Sequence, residues 1–378
     1  MPLHIAAKHM ASTCCSQMRL LIACPDRGYG SVHMDKLVPS LLRMGINVCV
    51  VGWDRKRELP RKFVRDGASY EMIFRGWGYA SRLLMLGIPI WIARLAWRLL
   101  GENADLVMAI DFDTGLSAAL AGCFRRMPFI YNIRDNFAMR ASVPPLLAPL
   151  VEALDRFVIR RARCVIVPDE SRTAGSRADR EKFVILRNCA LEVTPPPVPE
   201  TTGTRPFTLY AMGYLRASRG VGVLVELAKR MPDIRILLAG VADEADLIHQ
   251  ATELHNVEYR GVLPVRQALE LCFQCDVVVT FYEPNCEINR RAISNKWSDA
   301  MMASKPILLN REVLKSRWVE ENDIGYLCCY GDLDELEALV RHIREHPAEA
   351  ARKGANGRRM FEKSYNWAAV EAQLRQLI

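Results

Sequence analysis

Residues 194–206 read TPPPVPETTGTRP, a run rich in Pro and Thr with few apolar side chains. Such a composition makes an extended linker rather than a packed element. The same pattern stands on both sides of it: short apolar runs alternate with longer helix-like stretches. Before the linker, the run 19–24 (RLLIAC) passes through Pro25 and a loop bearing Gly28 and Gly30 into a helical segment, 34–44, that stops at Gly45 before a second apolar run, 47–52. Strand, glycine-bearing loop, helix, strand is a βαβ unit. Strands at 106–110, 129–133 and 164–168 continue it. After the linker the alternation restarts, with strands at 207–212, 234–239, 257–259, 277–281 and 306–310 and helices at 221–230, 243–254, 264–273 and 296–303. This predicts an α/β chain of two Rossmann-like domains, residues 18–190 and 207–360 joined by 191–206, facing each other across a cleft. Ligands of such sheets bind beyond the carboxyl ends of the strands.

At 378 residues the chain is too long for one ordinary core, in keeping with two domains. Its net charge of +8 is uneven: between residues 54 and 98 ten Lys/Arg face four Asp/Glu. A local excess of this kind fits a polyanionic partner or a plain solvated face. The twelve cysteines include Cys49 and Cys164 in apolar runs, as small buried hydrophobes in a reducing compartment. Cys272 and Cys275 form a CxxC with no second pair at zinc spacing, so the end of a helix explains them better. Residues 1–17 lack the long apolar stretch of a secretory signal and are expected to be an unstructured extension. The run 83–93 is too short to span a bilayer. A cytoplasmic location is expected, with peripheral attachment to the inner face of the cytoplasmic membrane as an option.

The second half carries the clearest chemistry. In MGYLRASRGVG, Gly213 follows a strand, Arg216 and Arg219 occupy the loop, and Gly220 precedes a helix. Two guanidinium groups beside a helix amino terminus make an anion site, although two solvated surface arginines would read the same way. In NKWSDAMMASKPIL, Asn295 and Lys296 open a helix and Asp299 follows Lys296 by three residues, on one face. Lysine there neutralises phosphate and the carboxylate accepts from ribose hydroxyls; an exposed ion pair is the plainer reading.

These segments resemble the GT-B enzymes of the "glycosyl transferases group 1" family. The match runs from Gly213 to Gly220, through the strand at 275–280 (CDVVVT), to the helix-opening segment 295–306, and more loosely over the first half. The resemblance implies a metal-independent glycosyltransferase that moves a sugar from a nucleotide-diphosphate donor to a glycan or lipid-linked glycan acceptor in polysaccharide or cell-envelope biosynthesis. The donor is a substrate, and no cofactor is implied. It assigns Gly213, Arg216, Arg219, Asn295 and Lys296 to the donor, with Asp299 on the ribose. It also makes 361–378, with Trp367, a terminal helix packing back towards the first domain. Departures are Asp299 for the usual glutamate, Ser304 for the usual glycine, and Arg291 where a further glutamate stands; Glu283 and Glu287 are upstream but out of register. A noncatalytic or epimerase-type sugar-nucleotide-binding protein on the same fold is the alternative.

In the first half, Asp111 and Asp113 close one strand and Arg134 and Asp135 the next, where an acceptor would meet the cleft. Asp135 is the candidate base for the acceptor hydroxyl, or else a helix cap. Gly28 and Gly30 allow close backbone approach to a ligand, as they would an ordinary tight turn. No nucleic-acid-reading motif accompanies the basic region, so nucleic acid is not an expected partner. The segment 82–100 (RLLMLGIPIWIARLAWRLL) places Pro89 in a first helical turn and Arg94 and Arg98 on one face. With Trp91 and Trp97 at headgroup depth and the basic run 55–65 nearby, an anionic membrane surface is an expected partner. Burial of this helix against the first sheet is the competing expectation.

Overall fold

The computed structural model describes residues 17–78, 84–134, 145–170, 177–196 and 205–378. Two sheets organise the chain. The first part runs β1 (Arg19–Ala23), α1 (Met34–Arg43), β2 (Asn47–Asp54), β3 (Lys62–Arg65), β4 (Ala68–Arg75), α2 (Leu84–Leu100), β5 (Leu106–Ile110), α3 (Asp111–Phe124), β6 (Phe129–Asn132), α4 (Ala148–Arg161), β7 (Cys164–Val167) and β8 (Phe183–Ile185). The second runs β9 (Thr208–Leu215), α5 (Val221–Arg230), β10 (Arg235–Ala242), α6 (Ala245–Thr252), β11 (Val257–Tyr259), α7 (Val265–Phe273), β12 (Val277–Thr280), α8 (Glu287–Arg290), α9 (Asn295–Met302), β13 (Ile307–Asn310), α10 (Ser316–Glu321), β14 (Gly325–Cys328), α11 (Leu333–Glu345), α12 (Pro347–Lys363) and α13 (Trp367–Leu377). The strand orders are β3-β4-β2-β1-β5-β6-β7-β8 and β11-β10-β9-β12-β13-β14. Two compact units result, one up to Asn132 with Leu154–Val165, the other Ile133–Ala153 with Ile166–Ile378.

The central strands β1, β5, β12 and β13 are continuous apolar runs with almost no exposed surface, as parallel strands covered on both faces require. The second sheet is parallel in every pairing, and Gly213 on β9 pairs in register with Gly240 on β10. Its order reverses between β9 and β12, so the crevice beyond those two strands is its switch point. In the first sheet the reversal falls between β1 and β5.

The hairpin of β3 and β4 is an addition to the sequence reading. Asp66 and Gly67 both have positive φ, 50° and 87°, the geometry of a two-residue hairpin turn. β4 then alternates buried Tyr70, Met72 and Phe74 with outward-facing neighbours and pairs parallel with β2.

Two expectations about residues 82–100 are corrected. Helix α2 begins at Leu84, so Pro89 lies inside it rather than in its first turn. Trp91 is fully buried, its ring against Trp53 at 5.8 Å and its Nε1 donating to Asp113 at 2.8 Å. It faces the sheet with Leu95 and Leu99 because residues four apart share one side of a helix. Arg98 pairs with Glu71 and Glu102, so its charge is spent within the unit. In the basic run, Arg55 donates to the Pro25 carbonyl and lies 3.8 Å over the Trp53 ring. Trp97 alone of the two tryptophans faces solvent, at 79% exposure. Among the described residues no helix is long and apolar enough to cross a membrane.

Cys272 and Cys275 are core residues beside the second sheet, and burial pushes both thiols up, Cys275 to about 12. At the carboxyl end, Asn366 caps α13 and bridges to Ala190, whose carbonyl accepts the Trp367 N–H at 2.9 Å.

Candidate functional site

Four strand ends and two helix starts of the second unit converge at its switch point. The chain leaves β9 through a short helical turn, Ala217–Arg219, and enters α5 at Gly220, whose φ is 77°. A Cβ on Gly220 would stand 2.5 Å from Cβ of Phe281, so the loop can pass over the end of β12 only with glycine here. The turn is braced by the Tyr330 hydroxyl donating to the Ala217 carbonyl at 3.0 Å and the Glu283 N–H donating to the Ser218 carbonyl at 3.0 Å.

Arg219 therefore lies against the loop after β12. Its guanidinium is 4.3 Å from the centre of the Tyr282 ring, and its Nη1 is buried without a hydrogen-bond acceptor. Burying a charged donor without a partner is costly, which makes the nitrogen a receptor for an anion. Tyr282 is itself fixed, since Asn310 both accepts its N–H and donates to its carbonyl, at 2.8 and 3.0 Å.

Helix α9 supplies the second cation. Ser294 caps it by accepting the Lys296 N–H at 3.3 Å. Its back is anchored by Trp297, which donates to Thr280 at 3.1 Å and stacks on Trp318, and by Ser298, which accepts from Ala190 and donates to Tyr365. Asn295 is left exposed, and Lys296 and Asp299 are half-buried. Lys296 lies across Gly213: a Cβ there would be 3.1 Å from both Cε and Nζ of the lysine. Gly213 has φ 103°, and its partner Gly240 has φ 141°, where a Cβ would clash with the Gly213 carbonyl. Among the described residues neither Arg219 nor Lys296 forms an ion pair.

Arg216 differs. It pairs with Asp243 through Nε, at 2.7 Å, and Nη2, and its guanidinium lies 5.2 Å over the Tyr214 ring. The structure thus brings Gly213, Arg219 and Lys296 to one strand edge, with Asp299 three residues further along α9 and half-buried, while Arg216 is held at its margin by an acid.

Glu283, upstream of α9 and out of register in the sequence, lies near the same loop. It stands three residues past the end of β12, half-buried, with its N–H on Ser218 and its carbonyl accepting from the buried Asn289 at 2.8 Å. Between it and α9 stands an ordered segment containing α8, in which Glu287 pairs with Arg291. That segment displaces Glu283 in sequence from Asp299 while leaving it beside Arg219 in space. The readable signal was its place three residues after the end of the apolar strand VVVT.

In the first unit, Gly28 and Gly30 both have φ 73°, and their N–H groups are taken by Asp26 and Asp35, each at 2.8 Å. The loop closes on its own carboxylates. Asp111, buried and at φ 66°, is a strained junction between β5 and α3. Asp113, two residues on, is buried too, and desolvation with the Asp111 charge beside it pushes its carboxyl up to about 6. At the end of β6, Asn132 meets His33 at 3.3 Å. Arg134 is half-buried after β6; Asp135 lies outside the described residues.

Two Rossmann-like sheets, one wholly parallel and one parallel but for the β3–β4 hairpin, together with the family matches that follow, define a glycosyltransferase of the GT-B kind. The profile of the glycosyl transferase 4-like domain matches residues 30–189, and that of the glycosyl transferase-like domain matches 219–376. The chain belongs to this glycosyltransferase family. Glycogen synthase of Mycobacterium tuberculosis is 24% identical over 289 residues, covering 72% of this chain and 68% of its own. Sucrose-phosphate synthase from Thermosynechococcus elongatus superposes with a TM-score of 0.73 at 16% identity, over 95% of this chain and 98% of its own. HepE from Anabaena, solved with UDP and glucose, gives 0.68 at 18% identity over 96% and 99%. At these identities the structural likeness is one of fold.

Proposed function

We propose that the chain transfers a sugar from a nucleoside-diphosphate donor to the hydroxyl of a glycan acceptor, with the donor on the second unit. The observation that carries this is the pair Arg219 and Lys296: two cations without acid partners among the described residues, at neighbouring strand ends, one with a buried unsatisfied nitrogen. In this reading they hold the diphosphate, assisted by the N–H groups at the start of α9. As the bond from C1 to the diphosphate breaks, charge develops on the leaving phosphate, and the same cations stabilise it. Asp299 takes the ribose hydroxyls and Glu283 the hydroxyls of the transferred sugar. The acceptor oxygen forms the new bond to C1, and Asp135 is assigned its proton. HepE holds UDP, which makes uridine donors the first to test. The acceptor in this reading is a growing glycan, carried on a lipid at an anionic membrane surface.

The test is a panel of nucleotide sugars offered to the purified protein, with thermal stabilisation and product formation as readouts. Stabilisation by one nucleoside-diphosphate sugar, lost in Arg219→Ala and Lys296→Ala, supports the reading. Binding with neither hydrolysis nor transfer, whatever the glycan acceptor, would favour a noncatalytic sugar-nucleotide-binding protein instead.

A further inference from the structure

Helices α2 and α3 lie side by side and parallel. Ser117 on α3 donates to the carbonyl of Ile92 on α2, and Arg125, just past α3, donates to that of Leu100, so the offset is the same at both points. Each helix leaves an apolar stripe in solvent. On α2 the exposed side chains Leu86, Ile90 and Trp97, at 63%, 39% and 79%, share the side opposite the buried Trp91, Leu95 and Leu99. On α3, Leu120 and Phe124 are 38% and 84% exposed; they follow Ser117 by three and seven residues and so continue the edge of α3 that meets α2. Five exposed large apolar side chains thus gather on two adjacent helices rather than standing singly.

The charges of this face are of one sign. Residues 84–101 and 114–127 contain Arg94, Arg98, Arg125 and Arg126 and no Asp, Glu or Lys. Arg98 is committed to Glu71 and Glu102, but Arg94, Arg125 and Arg126 are exposed. Aromatic and aliphatic side chains on two helices whose exposed charged residues, within them or just past their ends, are all arginine suit the boundary between acyl chains and anionic headgroups, where the rings enter and the guanidinium groups meet phosphate. A protein partner would need a matching acidic rim and an apolar core; a bilayer offers both without further fitting.

We infer that this α2–α3 face is the surface by which the first unit docks on an anionic leaflet, with Trp97 and Phe124 as the inserted side chains. The inference supplies the membrane contact of the lipid-borne acceptor reading above, and it needs neither donor nor turnover to be tested. The experiment is co-sedimentation of the full chain with vesicles of phosphatidylcholine alone or mixed with phosphatidylglycerol. Wild type, Trp97→Ser with Phe124→Ser, and Arg94→Glu with Arg126→Glu are compared, with nucleotide-diphosphate binding measured alongside. The expected result is binding to the mixed vesicles, weakened roughly tenfold or more by either double variant, with nucleotide binding unchanged. Absence of binding at low salt, equal binding to neutral vesicles, or variants that bind like wild type overturn it. So does a wild-type dimer that the Trp97/Phe124 variant dissolves, which would make the face a contact between two copies. Loss of nucleotide binding in every form would strike the donor assignment and leave the docking result standing.

Discussion

The ammonium of Lys296 occupies the space in which Gly213 would carry its side chain, 3.1 Å from the position of that absent Cβ. The relationship ties a strand end to a helix start: the lysine lies over β9 because residue 213 has no side chain and because Gly240 leaves room for its carbonyl. Gly213→Ala should therefore act as a lysine displacement. It also carries a cost of about 1–3 kcal/mol from the φ of 103°. We expect weakened donor binding with the second unit still folded, read by titration of the nucleotide and circular dichroism; unchanged affinity would detach the glycine from the lysine's role.

The two arginines of the loop are predicted to differ. Arg219 has a buried nitrogen without an acceptor, whereas Arg216 is already paired with Asp243. A charge-assisted contact is worth roughly 1.5–3 kcal/mol, or about 10- to 150-fold in affinity. Arg219→Ala should lose that much; Arg216→Ala should lose clearly less. Equal losses in nucleotide titrations would mean that Arg216 leaves Asp243 when the ligand arrives.

Glu283 and Asp299 should separate kinetically. Asp299→Asn is expected to weaken donor binding, because its assigned partner is present before and during reaction. Glu283→Gln is expected to bind nucleotide diphosphate normally and to lower turnover by roughly 100-fold, the loss typical of a group directed at the reacting sugar. Near-normal turnover in Glu283→Gln would return that residue to a structural role beside Ser218 and Asn289.

Asp113 makes stability depend on pH in a definite direction. Its carboxyl is pushed up to about 6 in the folded protein, above the value of 3.8 for a free group, chiefly by burial. Between those values the folded chain keeps a proton that the unfolded chain has released. The contribution of this group is thus most favourable below the lower value and is lost as pH rises through the upper one, in total roughly 3 kcal/mol. Asp113→Asn keeps an oxygen for Trp91 and removes the charge. It should raise the melting temperature at about pH 7.5 and lose that advantage towards pH 4; a pH-independent difference would show that Asp113 does not titrate in this range.

Much of the fold could be read from alternation, because parallel strands covered on both faces are continuous apolar runs: β1, β5 and β12 were visible as such. The β3–β4 hairpin was not, since its pattern is half-buried alternation inside a segment dominated by charge; Asp66-Gly67 was the cue. For α2, composition could report an apolar helix but not its rotation. Only packing shows that Trp91 turns to Asp113 while Trp97 turns to water. At the edge of the second sheet, Arg219 and Lys296 could be singled out in the sequence because one stands in a strand-to-helix loop between two glycines and the other in the first turn of a helix. Glu283 was visible only as out of register, because an ordered segment with α8 lengthens the chain between it and α9.

The most direct test of the account is calorimetric titration of UDP, and then of other nucleoside diphosphates, into wild type, Arg219→Ala and Lys296→Ala. The account predicts that at least one nucleoside diphosphate binds wild type, that each variant loses about 10-fold or more in affinity, and that all three proteins share the same circular dichroism. Equal affinity in all three proteins would contradict it, since the diphosphate would then be held elsewhere than at the edge where Lys296 crosses Gly213.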